Sequence, residues 1–457
     1  MAKGKGFDLV TSSGERFSYI LYYGGIIIYY MIVTSFLQLY LTNIGIPAAI
    51  IGTIFLITRI WDAVNDPIFG VIVDKVNLKK GKYLPWIRIS TFLIPLTTIL
   101  IFSIPADFSL QVKILMAVGS YMLWDTAYTL ADAPIYSLAT AMTSHIDERN
   151  RLYINAMITT FIGGLLATVA VPLMFPAIGW PATVAILSVL GISSMLPVGF
   201  KAKERFVVKD QNPSFGDLMR YVVRNKYLLI YHGALIIVSL AGTASPVQAF
   251  FAIHHLGGTE YISIIALIST IPMVVAVFVV KALINKFDKV YLAVACLLGG
   301  GLTGVLMYFV GYGNLMVLYA LIALRAVFGA TNIVLIAMFT ADCAEYGNFV
   351  TGDRAMGVTF AIRAFTAKIT AAISSAVCMF LLGIFGFVEG ENVVQSETAV
   401  AAIWSLFTWV PIVSGAVAAA LLAVGYKLRQ KDVAFMVSVN KGEMTREEAV
   451  AQMSRKY

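Results

Sequence analysis

Asp62, Asn65 and Asp66 lie inside an apolar run, TRIWDAVNDPIFGVIV at 58–73, with Arg59 just before them. A helix sets the two carboxylates on one face, one turn apart. A carboxylate inside an apolar span costs about 2.5–3.5 kcal/mol on insertion scales and by default marks an ion or substrate pathway. The alternative is a structural ion pair with Arg59, or an aqueous helix end. A second stripe sits in YMLWDTAYTLADAPIYSL, where Asp125, Thr129 and Asp132 fall at i, i+4 and i+7 and Pro134 frees backbone carbonyls just beyond. Together Asp62, Asn65, Asp66, Thr129 and Asp132 offer the carboxylate, amide and hydroxyl oxygens that a hard cation such as Na+ prefers. Crowded, buried carboxylates could equally hold a proton. The third reading is a helix–helix hydrogen-bond network with no ion.

Further along, Arg363 and Lys368 sit in GVTFAIRAFTAKITAAISSAV and supply natural counter-charges, although Arg363 is close enough to the helix start to snorkel. Arg325, also mid-span, reads as a structural ion pair or as a substrate contact. Trp124, Tyr128 and Tyr136 share the helix of Asp125 and Asp132. Such rings either stack on the apolar faces of sugars or simply pack. His232 and His254–His255 read as incidental.

The elements that position these groups are membrane helices. Of 457 residues, 59% are hydrophobic and 13% charged, against about 25% charged in an ordinary soluble chain. Mean hydropathy is +0.84. Polar breaks predict twelve spans at about 17–42, 47–74, 84–104, 109–142, 152–175, 180–200, 226–254, 260–284, 289–310, 314–342, 355–386 and 398–428. Every other loop is basic, so the net charge of +8 reports loop placement rather than nucleic-acid binding, and both termini are expected in the cytoplasm. No removable signal peptide is read at the N-terminus. Two hydrophobic halves flank one long polar segment, which divides the chain into a six-helix bundle at 1–200, a linker at 201–225, a second bundle at 226–428 and a tail at 429–457. The expected fold is all-α, twelve transmembrane helices in two bundles in the manner of major facilitators. The tail reads as a surface helix, with Thr445, Glu447 and Glu448 at a possible cap.

Several classes are disfavoured. No GxxxxGK[ST] loop argues for an ATP-driven pump, and neither HExxH nor a Ser/His/Asp set argues for an enzyme. Three isolated cysteines, Cys296, Cys343 and Cys378, lack metal-ligand spacing and read as space-filling. No cofactor beyond a coupling ion, Na+ or H+, and no obligate protein partner are expected.

The string RIWDAVNDPIFG, followed by Asp74 and GKYLPW, resembles the signature of the glycoside–pentoside–hexuronide:cation symporters, the family of melibiose permease. WDTAYTLADAPIYSLATAMTSHIDERNR and ADCAEYGNFVTGDRAMGVTFAIRAFTAK are similar to two further stretches of that family. The resemblance implies an inner-membrane symporter that takes up a glycoside, pentoside or uronide with Na+ or H+ by alternating access. It implies a cation site at Asp62, Asn65, Asp66 and Thr129, with Na+ on Asp62 and Asp66. Asp132 would be shared with the substrate, and Trp124, Tyr128 and Tyr136 would lie near the sugar. Asp125 and Arg363 are assigned to the substrate site with Lys368, which matches a lysine close to the carboxylates. Lys79, Lys80 and Lys82 would form cytoplasmic charge locks with Asp342 or Glu345.

Departures from the family pattern bear on the substrate. Gly25 and Ile26 stand where melibiose permease has a Lys-Asp pair, and Ala156 or Thr159 where it has an arginine. Asp125 replaces a glycine, and Arg363 a sugar-contacting glutamine. Arg363 therefore calls either for an acidic sugar or for pairing with Asp125 beside a neutral one. A sodium-dependent lysolipid carrier shares the first carboxylates and remains an alternative, as does a non-transport receptor or enzyme.

Overall fold

The structure, a computed structural model, describes residues 10–75, 81–143, 145–206, 223–240, 244–284, 286–351, 356–390, 393–440 and 442–455. They form helices α1 (Ser13–Asn43), α2 (Ala48–Lys75), α3 (Leu84–Ile101), α4 (Leu110–Met142), α5 (Ile146–Ile178), α6 (Trp180–Lys201), α7 (Lys226–Leu240) and α8 (Ala244–His255). These are followed by α9 (Glu260–Ile284), α10 (Lys289–Val310), α11 (Leu315–Thr351), α12 (Met356–Ile384), α13 (Glu397–Gly425), α14 (Gln430–Asn440) and α15 (Arg446–Gln452). Each of the twelve expected spans carries a helix, α7 and α8 together filling the seventh. Among the described residues, seven helices are long and apolar enough to cross a membrane. α4 is not one of them, because Lys113, Ser120, Asp125, Thr126, Thr129 and Asp132 dilute its apolar character.

The helices sort into two compact units. The first comprises Met1–Asp210 with Gly258–Ser263 and Phe387–Gln395, and the second comprises the remainder. In the first unit α1 lies against α5 and α6, α3 against α4 and α6, and α2 against α4. Glycines permit the closest approaches, as is usual where helices associate without a hydrophobic driving force between them. A Cβ on Gly163 of α5 would collide with the Gly24 carbonyl of α1, and one on Gly191 of α6 with the Tyr29 ring. Tyr29 instead donates its hydroxyl to the Ser188 carbonyl at 2.7 Å. In the second unit α10 packs on α11 and α13, and α7 on α12 and α13, around Tyr227, Tyr231, Phe339, Tyr346 and Tyr426.

Polar side chains answer the groups that helix ends and prolines leave open. Glu204 accepts the N–H groups of Lys82, Tyr83 and Leu84 at 2.7, 2.8 and 2.6 Å, capping α3 from beyond α6. Asp288 caps α10 through Val290 N–H and pairs with Arg429 at 3.6 Å, so in both units the start of the third span is tied to the segment after the sixth span. Glu389 accepts from Ala48 N–H at 2.6 Å at the start of α2. Lys113 is buried without a carboxylate; its Nζ donates to the carbonyls of Ile44 and Ala106 at 2.7 and 3.2 Å, the first at the C-terminal end of α1. The tail forms α14 and α15, with Thr445 and Glu448 making the expected capping box.

Arg325 resolves in the same way. Pro411 interrupts α13 and cannot donate to the Phe407 carbonyl one turn before it. Arg325 Nη1 supplies that donor at 3.0 Å, with the guanidinium 4.6 Å from the centre of the Phe407 ring. Arg325→Met should destabilise the protein by about 1–3 kcal/mol, the cost of a stranded buried acceptor. In a Pro411→Ala background the cost should fall, because an alanine at that position restores the missing N–H. Equal losses in both backgrounds, read by thermal unfolding in detergent, would contradict this assignment.

Candidate functional site

The carboxylate-bearing faces of α2 and α4 meet. Thr129 and Asp125 are one turn apart on α4, and both reach the same group on α2. Asn65 Nδ2 lies 3.0 Å from Thr129 Oγ1 and 3.4 Å from Asp125 Oδ2. One turn earlier on α2, Asp62 pairs with Arg59 at 3.6 Å. Trp61 Nε1 donates to Thr126 Oγ1 at 3.2 Å and closes the same helix pair. Asp62, Asn65 and Asp125 are each less than a tenth exposed, and Asn65 is 1% exposed. The hydrogen bonds are long for charged partners, but together they fix the relative register of the two helices.

Asn65 Oδ1 is buried with no hydrogen-bond partner. In its ionised form Asp125 is a pure acceptor toward that amide. An ionised carboxylate has no hydrogen to give, and Thr129 Oγ1 donates its own to the Asp125 carbonyl at 3.0 Å. The NH2 end must therefore face them, and the oxygen is turned the other way. Other buried polar atoms also lack partners, including both ends of the Gln38 amide and Trp124 Nε1. Arg59 Nε, one turn before Asp62 on α2, is buried without a partner as well, and the Asn65 oxygen belongs to a side chain whose other end reaches Asp125 and Thr129. A buried acceptor left unanswered costs about 1–3 kcal/mol, unless a donor or a cation answers it.

Trp124 is buried and contacts Tyr121 and Tyr128 with ring centroids 5.6 and 5.3 Å away, while Tyr128 also meets Tyr30 at 5.6 Å. Tyr136 is exposed, contacts Tyr23 edge to face at 5.6 Å, and gives its carbonyl to the Tyr153 hydroxyl. Asp132 is half-buried on α4. Asp125, expected with the substrate, shares the amide of Asn65. The side chains of Asp66, Arg363 and Lys368 lie outside the described residues, as do Lys79 and Lys80 altogether.

The departures from the family pattern have structural occupants. A Cβ on Gly25 would stand 2.7 Å from the Gly191 carbonyl, so this position serves the contact with α6. Ile26 is in the core, as is Ala156, and Thr159 Oγ1 donates to the Ile20 carbonyl at 2.6 Å. These positions hold α1 against α5 and α6.

At the lysine-rich end of the first unit, Lys82 rests over the Tyr83 ring at 5.4 Å. In the second unit Asp342 is ion-paired with Lys289, and Glu345 accepts from Asn440 Nδ2 at 2.7 Å. Three carboxylates that sequence reasoning passed over organise the first unit here. Glu204 caps α3 as described, Glu15 binds Arg205 at 2.9 Å, and Glu148 accepts from Val10, Thr11 and Thr143. Arg205 and Phe206 N–H groups also donate to the Ala141 carbonyl, so the first residues beyond α6 strap α1, α3 and α4 together. The only local signal was the density of charge in KAKERF.

Comparison with known proteins agrees with this architecture. The model of the family described as MFS/sugar transport protein matches residues 18–430, and the chain belongs to that family. It is 29% identical over 433 residues to an isoprimeverose transporter of Lactiplantibacillus pentosus, covering 89% of this chain and 88% of that protein. It is 28% identical over 392 residues to a glucuronide carrier protein homolog of Escherichia coli (strain K12), with 82% and 84% covered. A crystal structure of a bacterial homolog of the human lysosomal transporter Spinster superposes with a TM-score of 0.64 at 12% identity, covering 95% of this chain and 98% of that one. The protein is thus a multi-pass membrane transporter of major facilitator fold.

Glu148 precedes the apolar span that begins at Arg151. Burial pushes its carboxyl up, but hydrogen bonds from Thr11, Thr143 and Val10 outweigh burial and hold it below the usual glutamate range. A depressed carboxyl stabilises the fold above its unfolded-state value, and the contribution disappears as pH falls through the folded value. Glu148→Gln should therefore flatten the acid limb of thermal stability below about pH 4.5 while lowering stability at neutral pH. An unchanged acid limb would contradict that role.

Proposed function

We propose that this protein is a cation-coupled symporter of the cell inner membrane, both termini cytoplasmic, that takes up a sugar-like solute by alternating access. Glycosides, pentosides and uronides are the solute classes. The observation that carries the cation half is the buried oxygen of Asn65, held beside Asp62 and Asp125 with no donor to answer it. An amide oxygen coordinates a metal cation but does not take up a proton near neutral pH, which supports Na+ over H+ as the coupling ion. In this reading Asp62, Asn65, Asp66, Thr129 and Asp132 bind Na+, and its arrival neutralises the carboxylates. Asp132 with Trp124, Asp125, Tyr128, Tyr136, Arg363 and Lys368 then receives the solute, and the bundles exchange access around it. The printed names of the relatives, one an isoprimeverose transporter and one a glucuronide carrier homolog, support a sugar-like solute.

Uptake into proteoliposomes with an imposed Na+ gradient tests the reading, with a proton gradient as the comparison. Na+ should drive accumulation of at least one member of a panel of glycosides, pentosides and uronides. Stimulation by protons alone would overturn the sodium assignment. Asp62→Cys and Asp66→Cys should each abolish accumulation against a gradient while sparing solute exchange. Concentrative uptake by both would contradict the site. Running the panel on Arg363→Gln decides the charge of the solute. Selective loss of acidic sugars means the guanidinium grips an anion through its two-pronged fork.

Lys79, Lys80 and Lys82, with Asp342 and Glu345, are proposed as cytoplasmic gate residues. Exposed ion pairs are worth about 0–1 kcal/mol each. Lys79→Ala should therefore change transport rate modestly and leave solute affinity alone. About a tenfold loss of affinity, equivalent to about 1.4 kcal/mol, would place that loop in the binding site instead.

A further inference from the structure

The orientation of the Asn65 amide is imposed by α4. Asp125 Oδ2 and Thr129 Oγ1 both take hydrogen from Asn65 Nδ2, at 3.4 and 3.0 Å. Rotating the amide by half a turn would bring its oxygen against a carboxylate and against a hydroxyl whose hydrogen already goes to the Asp125 carbonyl. Two acceptor–acceptor contacts in a buried setting forbid that rotation. Asp125 is itself 7% exposed, so water does little to relax the constraint. The Thr129 hydroxyl alone would not suffice, because a hydroxyl can turn and donate to whichever end of an amide it meets. A carboxylate has no such freedom.

We propose that Asp125 is a positioning residue for cation selection. By fixing the Asn65 amide with its oxygen outward, it keeps an oxygen rather than an NH2 group in the place a cation takes. Asp62, three residues before Asn65 on α2, pairs with Arg59. The rigid amide fixes which atom of Asn65 a cation meets, and with it the preference between Na+ and the smaller Li+. This inference rests on the cation-site reading above and gives Asp125 a role toward the ion in addition to the one proposed toward the solute.

Purified full-length protein titrated calorimetrically with NaCl and with LiCl, in the absence of solute, tests it. Asp125→Asn presents an amide that is both donor and acceptor, which frees Asn65 to turn. Na+ affinity should fall about tenfold or more, and the Na+ to Li+ affinity ratio should shift. Asp125→Glu keeps a pure acceptor and should recover part of the ratio. Thermal unfolding of each variant confirms that it is folded before titration. Asp125→Asn with unchanged Na+ affinity overturns the proposal. So does an equal loss for both ions at an unchanged ratio, since the carboxylate would then act by charge alone. If the wild-type protein binds neither ion, the cation-site reading fails and the proposal with it.

Discussion

Within a bilayer every backbone donor and acceptor has to be answered from inside the protein, and this constraint accounts for most of the polar side chains described here. Glu204, Asp288 and Glu389 answer the open N–H groups of α3, α10 and α2. Lys113 answers carbonyls at the end of α1, and Arg325 answers the one released by Pro411. None of these residues needs a substrate to explain its presence. Charge in an apolar span marks function only after such duties have been subtracted.

What is left after that subtraction is concentrated where α2 meets α4. Among the described residues, Asp62, Asn65 and Asp125 are buried near Arg59, and the hydrogen bonds of the Asn65 NH2 group leave its amide oxygen over. A hydrophobic isostere at Asn65 would avoid the cost of that oxygen but would offer nothing to a cation. Gly25 and Gly191 bring α1 against α6 at positions where a side chain would not fit, so recognition of the solute has to come from other positions.

Much of this was legible in the sequence. Alternating basic loops and apolar runs placed the helices, and the spacing of Asp62, Asn65 and Asp66 against Asp125 and Thr129 singled out the two faces that meet. The roles of Glu15, Glu148 and Glu204 were not legible, because a carboxylate in a polar segment is ordinary and their partners are more than a hundred residues distant in the chain. Arg325 was ambiguous from its own surroundings. The deciding signal was Pro411, which predicts a freed carbonyl at Phe407 but says nothing about which side chain will find it. The orientation of the Asn65 amide depends on where a hydroxyl hydrogen goes, and no residue pattern records that.

If the buried oxygen of Asn65 is the cation ligand proposed above, equilibrium binding of isotopic sodium to the purified protein, without solute, should differ between wild type and Asn65→Leu. The wild type should bind saturably and the variant at least about tenfold more weakly. The variant should lose this affinity while remaining folded. Equal sodium affinity in the two proteins would contradict that assignment.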